Sequence, residues 1–409
     1  MTRAPDTRSG TSEEPRVGLA TGLAARMAGV APSAIGSVLR LGDRSDVISL
    51  AGGLPADQGL PVADVMELAA RVLRQGTPGL QYGDTNGLPG LRAWISRHLH
   101  AEYGISTEPD RVLVTHGSQQ GIDLVCKVLL DPGDIVVVDR PSYLGATQVF
   151  RLFQARLREV PLAEDSELAE LTRALIAGLR PRVLYVVPNY ANPTGMSLQE
   201  RQRHRLADLA RRFNFVIIED DPYHELWFAA RRPAAPAIAA LTNRCVHLGS
   251  FSKTLFPSAR VGYLSAPVEL ITPLRLARQA ADLGNSEFLQ RLTYELVRDD
   301  GYLRGRLHDL RTLYRERRDA LGAALARHLP GVTFQAPEGG FFIWARLGTG
   351  RVATDMLRAA LDHGVSFVPG EPFYVDRPDH GMARLAFSGL SVELADTAAA
   401  RLARACEAA

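Results

Sequence analysis

Between residues 111 and 266, short apolar runs alternate along the chain with stretches of helical pattern. The runs are RVLVTHG, DIVVVDR, RVLYVVP, FVIIEDD, RCVHLGS and ARVGYLS, separated by segments such as LQERQRHRLADLARRF. Apolar runs of this length read as strands buried on both faces, and helices between them imply parallel crossovers. The pattern therefore predicts an α/β fold with a mostly parallel, seven-stranded sheet between helices. Ligands of such sheets sit where strands end and helices begin. The last hundred residues read differently: a long arginine-rich helical stretch near 303–328, then GVTFQA, GGFFIWARL, a helix near 353–363, and ARLAFSGL. A smaller α+β domain over 26–60 and 300–409 is expected, beside a large domain over 61–299, with residues 1–25 as a flexible arm.

Composition narrows the choice of partners. At 409 residues with 46% apolar and 22% charged side chains, the chain is ordinary globular material for two unequal domains. The net charge of +2 comes without a basic block or stripe, so no nucleic-acid partner is expected. Cys126, Cys245 and Cys406 are odd in number and form no CxxC pair. That spacing argues against a disulfide framework and against a zinc site, and the expectation is a reducing, cytoplasmic setting with no metal. Residues 1–18 are polar, and no segment approaches the roughly 18 uninterrupted apolar residues of a membrane span.

Only two of the 47 basic residues are lysines, Lys127 and Lys253. Lys253 stands in GSFSKTLFPSARVG, between Ser252 and Thr254 and seven residues before Arg260. A Schiff base to an aldehyde needs a primary amine that can lose its proton, which guanidinium does not do. Three further strand ends carry chemistry. In HGSQQGIDLVCKVLL, a strand ending at Gly117 and a helix beginning about Ser118 offer free backbone N–H groups to a phosphate, with Ser118 and Gln119 adding side chains. Arg260 offers a bidentate guanidinium to the same phosphate. FVIIEDDPYHEL runs straight into Asp220 and Tyr223; a carboxylate there can keep a pyridine nitrogen protonated, and the tyrosine can reach a ring oxygen. VVPNYANPTGMSLQE brings Asn192 to a loop, followed by a helix for which Ser197 is the expected cap. Each feature has an ordinary structural explanation when taken alone. Together they present phosphate donors, a carboxylate, an amide and an amine to one cofactor.

With these motifs the chain resembles the fold type I pyridoxal 5'-phosphate (PLP) enzymes, specifically the class I/II aminotransferases and, by the Lys253-to-Arg260 gap, their 2-aminoadipate aminotransferase subgroup. The segments ISLAGGLP, QYGDTNGLPGLR, GSQQ, EDDPY, PEGGFF and VSFVPGEPFY carry the resemblance, which spans about residues 30 to 390. It implies PLP bound covalently to Lys253, which also moves the proton at the substrate Cα. It implies Asp220 on the ring nitrogen, Asn192 and Tyr223 on the ring oxygen, and Tyr143 stacked on the ring. Gly117, Ser118, Gln119, Ser250, Ser252 and Arg260 would form the phosphate cup, and Tyr82 would reach it from the other subunit of a homodimer with shared active sites. Arg384 would bind the substrate carboxylate, with Gly53 and Asn192 also against the substrate.

The implied reaction is ping-pong transfer of an amino group between an L-amino acid and a 2-oxo acid, through pyridoxamine phosphate, in amino-acid or specialised-metabolite biosynthesis. The same residues would serve a lyase, decarboxylase, cyclase or oxidase equally well. Relatives taking acidic amino acids can carry an arginine where this chain has Gly36, so a non-acidic side chain is expected; Arg40 and Arg44 are the nearby cations. His116 replaces a small polar residue and is read as ending its strand. The 47 residues before ISLAGGLP show no helix-turn-helix pattern, so an enzyme is expected rather than the sensing part of a transcription regulator.

Overall fold

The computed structural model describes residues 22, 24–29, 36, 46–165, 168–229 and 234–408. The first half of the chain forms β1 (Ile48–Ser49), α1 (Val62–Arg74), α2 (Pro89–Tyr103), β2 (Val112–Thr115), α3 (Gly117–Leu129), β3 (Ile135–Asp139), α4 (Leu144–Leu152), β4 (Arg156–Val160), α5 (Ala169–Ile176), β5 (Val183–Val186) and α6 (Glu200–Phe213). The next elements are β6 (Val216–Asp220), α7 (Ile238–Leu241), β7 (Cys245–Ser250), β8 (Gly262–Ser265), α8 (Val268–Asp282), α9 (Glu287–Val297) and α10 (Asp300–His328). The chain closes with β9 (Thr333–Phe334), β10 (Phe342–Arg346), α11 (Ala353–Asp362), β11 (Val365–Ser366), β12 (Val368–Pro369), β13 (Met382–Ala386) and α12 (Val392–Ala408).

Seven strands form one sheet in the order β2-β8-β7-β6-β5-β3-β4. Only β8 runs antiparallel to its neighbours, so the sheet is mostly parallel, as expected. Strands β2 and β5 are buried at every position, which is why they read as unbroken apolar runs. A second, antiparallel sheet has the order β12-β13-β10-β9. It receives the N-terminal segment through β1, which pairs in parallel with β11. The amide of Ala386 donates to the carbonyl of Leu50 at 2.7 Å, so the loop after Leu50 is carried to β13, where Arg384 sits opposite Trp344 and Val368.

One apolar cluster runs from Ile122 of α3 and Val138 of the large sheet to Phe341, Phe367 and Leu402 of the C-terminal part. Burying a side chain such as Phe341, Phe342, Phe367, Phe373 or Phe387, all essentially inaccessible, stabilises by about 1.5–3 kcal/mol each. The packing joins the two sheets with their facing edges fixed, which holds the residues between them.

Two local boundaries differ from the sequence reading. Helix α3 begins at Gly117 rather than Ser118, because the Gln120 side chain reaches back one turn and accepts from the His116 amide at 2.8 Å. Ser197 is not a helix cap: its hydroxyl accepts from the Tyr190 amide at 2.9 Å, and α6 starts on a capping box between Gln199 and Gln202. Among the described residues, no helix is long and apolar enough to cross a membrane.

Candidate active site

The C-terminal ends of β5, β6 and β7, the start of α3 and the small antiparallel sheet enclose a cavity of about 270 Å³. Thirteen of the fourteen residues singled out from the sequence line it: Gly53, Gly117, Ser118, Gln119, Tyr143, Asn192, Asp220, Tyr223, Ser250, Ser252, Lys253, Arg260 and Arg384. Tyr82 does not; it is 88% exposed, on the loop before α2.

Lys253 enters from the turn after β7, and its Nζ donates to the Gly53 carbonyl at 2.9 Å. Burial first, and then the guanidinium groups of Arg384 and Arg260, push its pKa down to about 8, against the opposing pull of Asp220. Gly53 is required for this approach, since a Cβ there would stand 2.5 Å from the Phe342 ring. Lys127 lies elsewhere, on the outer side of α3 in an i,i+4 pair with Asp123.

Asp220 ends β6 with its side chain buried. Oδ2 accepts from the Tyr185 hydroxyl at 2.8 Å, whereas Oδ1 is buried without a partner. Burial pushes the carboxyl up to about 6, and the Tyr185 and Ser118 hydroxyls pull the other way.

The opposite end is built for an anion. Gly117 opens α3 at φ +72°, and a Cβ on it would meet Arg260 Nη2 at 2.9 Å; only glycine lets the guanidinium lie against the helix start. Arg260 also donates through Nη2 to the His116 carbonyl at 3.1 Å. The Ser252 hydroxyl is buried with no partner, while Ser250 Oγ accepts from the Ser252 amide at 3.2 Å. Gln119 donates to the Gly145 carbonyl at 2.8 Å, fixing the turn that carries Tyr143. His116 turns away from the cavity, its Nδ1 3.0 Å from Asp282, so it closes the strand.

Arg384 is the third cation. It is 1% exposed, donates to Asn192 Oδ1 at 2.8 Å and the Ala51 carbonyl at 2.5 Å, and leaves Nε without a partner. Burial pushes its pKa down to about 10, with the hydroxyls of Tyr223 and Tyr143 opposing. Leu54, Val187, Pro222 and Phe342 complete the lining. The sequence reading gave these no role, although Leu54 lies in AGGLP and Phe342 in PEGGFF. Gly36 does not line the cavity, and Arg40 and Arg44 lie outside the described residues.

The donor set fits PLP. An orphaned carboxylate oxygen suits a protonated ring nitrogen, and an unpartnered serine hydroxyl, a helix N-terminus and a guanidinium suit a phosphate. A buried amine between them suits an aldehyde. Fold and site together define a fold type I PLP enzyme. Residues 45–402 match the family described as Aminotransferase class I and II. The chain is 38% identical over 380 residues to the 2-aminoadipate transaminase of Thermus thermophilus, covering 91% of this chain and 93% of that one. It is 36% identical over 368 residues to aromatic-amino-acid aminotransferase 1 of Thermococcus litoralis, covering 88% of each. The kynurenine aminotransferase of Pyrococcus horikoshii, solved in complex with PMP, superposes with a TM-score of 0.87 at 34% identity, covering 94% of this chain and 97% of that one. The chain belongs to the class I and II aminotransferases and is a PLP-dependent enzyme of amino-group transfer.

Proposed function

We propose that PLP is held covalently by Lys253 and that the chain passes an amino group from a non-acidic L-amino acid to a 2-oxo acid in two half-reactions. The observation that carries the reading is the placement of Lys253, one of only two lysines in the chain, between the Asp220 carboxylate and the Arg260 guanidinium in one cavity. When bound, PLP supplies an aldehyde carbon for the amino group and a protonated ring that draws electrons from the substrate Cα.

The protein's own groups divide the remaining work. Asp220 Oδ1 holds the ring nitrogen protonated, and the Asn192 amide nitrogen and the Tyr223 hydroxyl hold the ring oxygen. Gly117, Ser118, Gln119, Ser250, Ser252 and Arg260 anchor the phosphate, and Tyr143 lies against the ring face. Arg384 forks onto the α-carboxylate and so orients the Cα–H bond toward Lys253. Once the substrate's own amino group has replaced Lys253 on the PLP aldehyde carbon and freed its amine, the lowered pKa would favour Lys253 as the base that takes the Cα proton and returns it to the neighbouring cofactor carbon.

Among the described residues, the cations lining the cavity are Lys253, Arg260 and Arg384. All three have tasks, which leaves none for a distal carboxylate, while Leu54, Phe342 and Tyr143 offer apolar contact to an aromatic or aliphatic side chain. We further read the chain as a homodimer with shared sites. Exposed Val62 and Met66 on α1, with Leu80 and Tyr82 just beyond it, give an apolar face for a second copy, on which Tyr82 would reach the neighbouring phosphate cup. Residues 61–299 would then form the large domain, with 26–60 and 300–409 the small one.

Borohydride reduction of the loaded protein followed by peptide mass mapping tests the covalent link. The cofactor mass is expected on Lys253; its appearance on Lys127, or on neither lysine, would overturn the assignment.

A further inference from the structure

Asp220 lines the cavity, and one of its oxygens is held from the neighbouring strand. Tyr185 stands on β5 opposite Ile218 of β6, and its hydroxyl donates to Asp220 Oδ2 at 2.8 Å. Its side chain is 1% exposed, with the ring set edgewise against Phe150 at a centroid separation of 5.7 Å and an angle of 68°. The hydroxyl therefore cannot swing away without displacing the core. Oδ1, by contrast, is buried and unpartnered on a residue that lines the cavity. In a strand that reads VLYV, the hydroxyl is the one side-chain polar group, and it is spent on this carboxylate.

The two oxygens of an aspartate exchange by rotation about a soft torsion, and a buried carboxylate without donors is driven toward its neutral form. We propose that Tyr185 is a positioning residue for amino transfer: it fixes the rotation of Asp220, reserves Oδ1 for the ring nitrogen of PLP, and holds the carboxylate as an anion. This rests on the reading of Asp220 as the partner of that nitrogen. The groups that act on Asp220 from the surrounding elements are Ser118, Asp221 and His247, with Lys253, Tyr143 and Tyr223 across the cavity. Of these, Ser118, His247 and Lys253 favour the anion, and Asp221 opposes it. Tyr185 is the one of Asp220's partners that stands on β5.

Without the Tyr185 hydroxyl, the neutral acid gains ground. Its proton would come from the ring nitrogen, leaving an uncharged ring that withdraws electrons poorly.

The test measures the dissociation constant of PLP from the apo-protein between about pH 5 and 9, together with the single-turnover half-reaction with an amino acid that the wild type accepts. In Tyr185→Phe, the acid-side loss of PLP affinity is expected to move up by about one pH unit. The half-reaction is expected to slow roughly tenfold, with amino-acid saturation unchanged within about twofold. A 3-fluorotyrosine at 185 keeps the shape and strengthens the donor, so the acid-side loss should move down. If Tyr185→Phe does not fold, the fluorotyrosine profile decides alone. An unchanged pH profile in both variants, or a loss of amino-acid affinity in step with the rate, would overturn the inference. Failure of the wild type to bind PLP would overturn the cofactor assignment, and this inference with it.

Discussion

Arg384 donates to Asn192 Oδ1 at 2.8 Å, and both side chains line the Lys253 cavity. On the proposed reading one serves the substrate carboxylate and the other the cofactor ring, so the bond would set the angle between the two molecules that must react.

That bond makes Arg384 irreplaceable by lysine, whose ammonium lacks the planar fork. Arg384→Lys is expected to lose about 1.5–3 kcal/mol of carboxylate recognition, roughly 10- to 150-fold in kcat/KM. PLP content should stay close to wild type, because Arg384 is not among the groups proposed to hold the phosphate. Steady-state kinetics with absorbance of the bound cofactor would show the split; loss of PLP in proportion to activity would count against it.

The lowered pKa of Lys253 sets a pH dependence on cofactor capture. The ammonium is the unreactive form, and burial with Arg384 and Arg260 nearby favours the neutral amine from about pH 8 upward. Covalent uptake of PLP by the apo-protein should accelerate with rising pH and level off just above about 8. A plateau reached only near the ordinary lysine value of about 10.4 would contradict the electrostatic picture.

Gly117→Ala tests the anion cradle. The new Cβ would meet the Arg260 guanidinium and force a left-handed backbone on alanine, at a cost of about 1–3 kcal/mol. PLP affinity should fall and Tm should drop, both measurable on the purified protein. Gly133→Ala, also at positive φ (+91°) but with no atom near its Cβ, should lower Tm while leaving PLP affinity intact.

Glu225 gives a stability signature remote from the chemistry. Burial alone would raise its pKa, but the contact with His98 at 3.3 Å and the charges of His98, His224 and Arg311 win and hold it at about 2. A group depressed in the folded state adds stability above its unfolded value, and that stability drains away as pH falls toward the folded one. Glu225→Gln should therefore melt below the wild type at pH 7, and the gap should narrow between about pH 4.3 and 2. A gap independent of pH would show that packing, not charge, holds Glu225.

Much of the architecture was legible because β-strands buried on both faces leave continuous apolar runs, and because Lys253, Asp220, Asn192 and Gly117 each follow such a run. Arg384 was not readable that way: it sits within β13, opposite Trp344, and strand periodicity does not distinguish a ligand arginine from a surface one. It entered through the resemblance alone. Tyr185 was missed because an aromatic in an apolar strand reads as core, and only the neighbouring strand shows where its hydroxyl ends. Ser197 was misread as a cap because sequence does not reveal that the Tyr190 amide, seven residues upstream, folds back to claim its hydroxyl. Tyr82 is uninformative within one chain, since its expected partner lies on another copy.

The most direct test of amino transfer is a single-turnover panel: stoichiometric PLP-loaded protein mixed with individual amino acids, followed by absorbance and product analysis. An aromatic or aliphatic amino acid should yield pyridoxamine phosphate and the matching 2-oxo acid in equal amounts. Ammonia, carbon dioxide or peroxide released without pyridoxamine phosphate would contradict the central claim, and a clear preference for glutamate or 2-aminoadipate would contradict the non-acidic pocket.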